Sequence, residues 1–131
     1  MPTEQAKHTV VVAYHGSPAA RAAVRHAVAE AEEDTRLTLS VDLLRDVEDL
    51  NDVDYEADVV EGRPGVAICR VACHRDAERI VVGSRGVGRV RALLGSVAHD
   101  VLHLAECPVL VIPEKAIERQ ERERRRAAVG V

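Results

Sequence analysis

A parallel β-sheet covered by helices on both faces is the fold the sequence predicts, and three observations predict it. Short β-branched runs alternate along the chain with segments of helical spacing. The runs are apolar on both faces, as strands covered from above and below require. The 131 residues suit one domain with an ordinary core and are too few for two.

Each element has its own signal. Residues 1–7 are polar, and residues 9–14 (TVVVAY) read as a first buried strand. The turn His15-Gly16-Ser17-Pro18 sets Ser17 to cap a helix whose first position is Pro18. Ala20, Val24, Ala27, Val28 and Ala31 then recur at helical spacing, which predicts an amphipathic helix to about residue 33 with Arg21, Arg25, Glu32 and Glu33 outward. Residues 37–43 form a second strand, and the acidic stretch 44–54 a short helical turn or loop. Residues 55–60 alternate as a third strand, which Glu61-Gly62-Arg63-Pro64-Gly65 breaks. A helix over 66–74, a strand over 80–82, a helix over 96–105 and a last strand over 109–112 complete the sheet and its cover.

The domain therefore spans 1–113, and 114–131 form a charged C-terminal extension. With its Glu/Arg run over 118–126, the extension has too little apolar surface to join the core. It reads as a solvated helix held by pairs such as Glu118 with Arg122, or as a disordered tail.

Composition narrows the function. Tyr14 and Tyr55 are the only aromatic residues, which removes the stacking platforms of single-strand nucleic-acid binders. A net charge of -4 lacks the positive field a general nucleic-acid binder needs. Apolar runs fall far short of the ~20 residues of a membrane span, and the first ten residues have no secretory apolar segment. The expectation is a cytoplasmic protein whose three cysteines, Cys69, Cys73 and Cys107, are reduced thiols.

The stretch from 80 to 96, IVVGSRGVGRVRALLGS, is the candidate site. An apolar strand stops at Gly83, and a glycine-rich loop leads to Gly95-Ser96 at a helix start. Such a loop can present backbone N–H groups to a phosphate, with the helix dipole contributing ~0.3–1 kcal/mol per anionic group. On spacing alone, it fits a phosphate site and a tight βα turn equally well. In an open parallel sheet the ligand crevice lies at the carboxyl ends of the strands where their order reverses, so the turn 14–17 and the loop 83–95 would line one cleft.

Rival sites are weaker. Cys69 and Cys73 lie one helical turn apart beside His74, but no second ligand pair completes a metal site, and burial against the sheet explains them better. His99 and His103 share a face with Asp100 and Glu106, which reads as solvated. His15 and Ser17 lack an orienting carboxylate for nucleophilic catalysis.

The segments Val11-Val12-Ala13 to Gly16-Ser17-Pro18, Gly83-Ser84-Arg85-Gly86, Gly95-Ser96-Val97 and Cys107-Pro108-Val109-Leu110-Val111 together resemble the universal stress protein family over about residues 8–113. The resemblance implies a doubly wound α/β domain with five parallel strands ordered 3-2-1-4-5. It also implies a homodimer joined along the last strand, Val109–Ile112, and a stress-response or signalling module with at most weak ATP hydrolysis. Many members bind ATP, with Mg2+ accompanying the nucleotide, through a G-x2-G-x9-G-(S/T) motif. Carried over by position, the nucleotide-binding residues are Ala13, His15, Asp42, Gly83, Arg85, Gly86, Gly95, Ser96 and Val97. Gly83 and Gly86 would approach ribose and phosphates, Arg85 would neutralise charge, and Gly95, Ser96 and the Val97 N–H would hold phosphates.

The chain departs from that pattern in three places. Residues 87–94 are eight where the motif has nine, His15 replaces an aspartate facing the adenosine, and Asp42 replaces an apolar residue against adenine. A nucleotide-free interaction module of the same fold is the alternative these departures favour.

Overall fold

A computed structural model of the chain describes residues 8–14, 18–31, 35–41, 54–59, 63–84 and 94–129. In order these are β1 (His8–Tyr14), α1 (Pro18–Glu30), β2 (Thr35–Val41), β3 (Asp54–Val59), α2 (Pro64–His74), β4 (Arg79–Gly83), α3 (Ser96–Leu104), β5 (Val109–Ile112) and α4 (Glu114–Val129). The strands form one sheet in the order β3-β2-β1-β4-β5, each pair parallel. The parallel α/β class expected from the alternating pattern is the observed one. No helix among the described residues is long and apolar enough to cross a membrane.

Alternate residues of the central strands supply two cores. Val10, Val12, Leu37 and Val81 face α1 and α4, whereas Val11, Ala13, Ile80 and Val82 face α2 and α3. Burial on both sides explains why β1 and β4 are apolar at successive positions.

Helix α1 approaches the sheet through alanines. Ala19, Ala20, Ala22, Ala23 and Ala27 are all at most 1 % exposed. Small side chains bring the helix close enough that Gly83, at the end of β4, has no room for a side chain. A Cβ there would lie 2.5 Å from the Ala19 Cβ and 2.7 Å from its carbonyl oxygen.

The extension from 114 corrects the expectation that it stays out of the core. It is helical over α4, and Ile117, wholly buried, joins the core of α1, β1 and β5. Gln120 donates from its side-chain amide to the Ala22 carbonyl at 3.4 Å, and Arg119 pairs with Glu123 at 3.2 Å. One isoleucine at the first turn is enough to dock a helix whose remaining surface is charged. This second layer also explains why α1 is buried more widely than one apolar stripe would allow. Ile117→Ala is expected to cost about 2–5 kcal/mol in denaturant unfolding; an unchanged midpoint would show that α4 does not support the core.

Candidate functional site

β1 lies between β2 and β4, and the register of Val10 with Arg79, Val11 with Ile80 and Val12 with Val81 sets β1 and β4 side by side. The chain runs outward from β1 on one side to β2 and β3 and on the other to β4 and β5. The gap between β1 and β4 at their carboxyl ends is therefore the reversal point where doubly wound sheets hold ligands.

Three backbone bonds shape that edge. The Ser84 N–H donates to the Ile112 carbonyl at 2.9 Å, which extends the β4–β5 ladder past Gly83. The Gly95 N–H then donates to the Ser84 carbonyl at 2.8 Å, so these two residues meet at the edge. Finally, the His99 N–H donates to the Gly95 carbonyl at 3.0 Å and opens α3. Together these bonds hold the N-terminus of α3 against the end of β4.

Gly95 is the N-cap of α3, with φ -64° and ψ 159°, and no side chain caps the helix. Helical geometry leaves the N–H groups of Ser96, Val97 and Ala98 without partners inside the helix. They and the helix dipole are what this edge offers an anion. Ser96 is exposed, Gly95 and Val97 are half-buried, and Ala98 is buried in the core. Ser84 was not singled out from the sequence, although its carbonyl and N–H close the loop. Its backbone role carries no side-chain signal.

Of the sequence-derived site residues, Ala13, Gly83, Gly95, Ser96 and Val97 fall at this edge. Ala13 is 1 % exposed with its side chain in the core under α2 and α3, so contact with a ligand is left to its backbone. The bare Cα of Gly83 is accounted for by the approach of α1. His15, Asp42, Arg85 and Gly86 lie outside the described residues.

A second feature of the α2–α3 side corrects the reading of α3. Asp100, grouped with His99 and His103 as solvated, is 8 % exposed. Arg63, just before α2, grips it twice, donating from Nε to Oδ2 at 2.7 Å and from an Nη to Oδ1 at 2.9 Å. Gly65 lets the helices meet there, because a Cβ on it would lie 2.4 Å from the Asp100 Cβ. A planar two-point pairing of this kind fixes geometry as well as charge. His99 and His103 are exposed as expected, their rings 4.6 Å apart.

The cysteines are free. Cys69 and Cys107 are half-buried and Cys73 is exposed, which corrects the expectation that Cys73 packs against the sheet. Burial pushes the Cys69 thiol up, with Cys107 and Asp100 acting in the same direction, and burial likewise raises Cys107. Among the described residues no three Cys, His, Asp or Glu side chains are arranged to hold a metal.

Comparison with known proteins agrees with this geometry. The universal stress protein family model matches residues 32–113. A universal stress protein from Synechocystis is 43 % identical over 63 residues, which cover 47 % of this chain and 58 % of the relative. The chain spans about half the length of the curated relatives it matches, or less. Among solved structures, a universal stress protein in complex with cAMP is 27 % identical with a TM-score of 0.62, covering 83 % of this chain and 98 % of that one. The universal stress protein from Archaeoglobus fulgidus in complex with dAMP is 25 % identical with a TM-score of 0.58, covering 82 % and 99 %.

Proposed function

Because the chain belongs to the universal stress protein family, we propose that it is a non-enzymatic stress-response module that binds ATP or a related adenine nucleotide at the loop over 83–96. The observation that carries the reading is the junction at which the Gly95 N–H meets the Ser84 carbonyl. It sets the uncapped first turn of α3 at the reversal point between β1 and β4. Phosphates would accept from the N–H groups of Ser96 and Val97, with Gly95 leaving room for them. Arg85 would add positive charge, and Gly86 would allow the loop to approach the ribose. Ala13 of β1 would line the nucleoside side together with His15 and Asp42, which follow β1 and β2 in the chain. Two relatives of the same fold, in complex with cAMP and dAMP, support an adenine nucleotide as the ligand class.

ATP, accompanied by Mg2+, would be the nucleotide bound. The setting would be cytoplasmic, where ATP is abundant. β5, the edge strand, would pair with its own copy along Val109–Ile112 to form a homodimer.

Thermal melting with AMP, cAMP and ATP, each with and without Mg2+, tests the binding. A ligand at ~100 times its dissociation constant stabilises the fold by ~2.7 kcal/mol. The reading predicts such a shift with at least one adenine nucleotide and none with inorganic sulfate at equal ionic strength. The one-residue-shorter loop over 87–94, His15 and Asp42 favour a second reading, a nucleotide-free interaction module. That reading predicts no shift with any of the three.

A further inference from the structure

All three cysteines of the chain open on one cavity of about 270 Å3 between α2 and the segment that joins α3 to β5. Cys69 and Cys73 come to it from successive turns of α2, and Cys107 from the residue before the Pro108 entry to β5. Cys69 and Cys107 also pack against the same core cluster, from elements far apart in the chain. We propose that Cys69 and Cys107 are a thiol pair that peroxide closes into a disulfide, tying α2 to the start of β5.

Cys69 and Cys107 belong together for several reasons. The Cys69 thiol donates to the Val101 carbonyl of α3 at 3.9 Å, and both Cys69 and Cys107 line the cavity. Cys107 also acts electrostatically on the Cys69 thiol, pushing it up. A link from Cys69 to Cys73 would only join one helix to itself and constrain nothing. With no three-ligand metal arrangement among the described residues, the convergence of thiols points to sulfur chemistry rather than to a metal centre.

The reaction is a two-electron oxidation. The thiolate of one cysteine attacks a peroxide oxygen and breaks the O–O bond, giving a sulfenic acid and, once the leaving hydroxide takes up the proton released on forming the thiolate, one water. The second thiol attacks that sulfur; the S–S bond forms, the S–O bond breaks, and the hydroxyl leaves with the thiol proton as a second water. The sulfur pair loses two electrons and the peroxide gains them. The charged groups facing the pair are acidic: Asp76 and Glu106 line the cavity, and Asp100 of α3 acts on Cys69. Burial raises both thiols, with Asp100 adding to this at Cys69, so little thiolate is present to attack peroxide and the pair closes only in excess oxidant.

The test uses the full chain treated with hydrogen peroxide, quenched with N-ethylmaleimide and digested without reductant. Mass spectrometry is expected to find, before digestion, a single chain that carries one maleimide and lacks two hydrogens, and after it a peptide joining Cys69 to Cys107 with the maleimide on Cys73. Dithiothreitol should reverse the link, and the oxidised protein should melt at a higher temperature, since closing a long loop restricts the unfolded chain. Cys73→Ser, at an exposed position, should keep the link and Cys107→Ser should lose it. Maleimide on both Cys69 and Cys107 after treatment would overturn the proposal. So would a disulfide that contains Cys73, one that joins two chains, or loss of the link in Cys73→Ser.

Discussion

Gly83→Ala is expected to destabilise the fold by about 1–3 kcal/mol, the usual range for forcing a carbon into a packed interior. The upper end applies because the obstacle is backbone. The added Cβ would stand 2.7 Å from the Ala19 carbonyl oxygen and 2.5 Å from its Cβ, so no side-chain rotation relieves it. Either the first turn of α1 lifts from the sheet or the end of β4 shifts, and both disturb the edge from which Ser84 and Gly95 build the loop junction. Urea unfolding should show a lower midpoint at an unchanged slope. An unaltered midpoint would mean that α1 does not pack as closely as its alanines allow.

Gly95→Val has the opposite profile. Gly95 sits at φ -64° and ψ 159°, a conformation open to any residue, so the substitution brings no backbone strain. The cost to folding should be about 1 kcal/mol, the typical loss when a favoured N-cap residue gives way to an apolar one. A branched side chain at the N-cap would occupy the space a phosphate needs beside the first-turn N–H groups. The variant should melt close to the parent and show no nucleotide-dependent shift. Retention of that shift would place the phosphates elsewhere. The pair of substitutions separates two roles for glycine in one stretch: at Gly83 it serves the packing of a helix, and at Gly95, in the proposed binding mode, it would leave room for a ligand.

Those roles were only partly legible in the sequence. Strands apolar at successive positions and helices with a clear apolar stripe announce a parallel sheet covered on both faces, because double burial writes itself into successive residues, Val10 to Ala13 of β1 and Ile80 to Val82 of β4. The strand-to-helix passage from Gly83 to Ser96 was readable from its glycines for the same local reason. What stayed hidden depends on contacts distant in the chain. Ile117 looks like one apolar residue in a charged tail until the face of α1 that it covers is known. Asp100 sits among exposed histidines in sequence, and only the approach of Arg63 from the start of α2 makes it a buried, doubly bonded carboxylate. The near-continuous burial of α1 exceeds what its period predicts because α4 adds a second layer. Ser84 acts through its backbone, for which no residue type gives a signal.

The central claim is that an adenine nucleotide places its phosphate on the first turn of α3. The most direct measurement is a titration of the isotope-labelled full chain with AMP, following backbone amide signals by NMR. The account predicts saturable shifts that are largest at the amides of Gly95, Ser96, Val97 and Ala98, with smaller ones at the end of β1 near Ala13, and loss of the α3 shifts in Gly95→Val. Unmoved amides at 95–98 under saturating AMP, cAMP and ATP, or shifts centred on another surface, would contradict it.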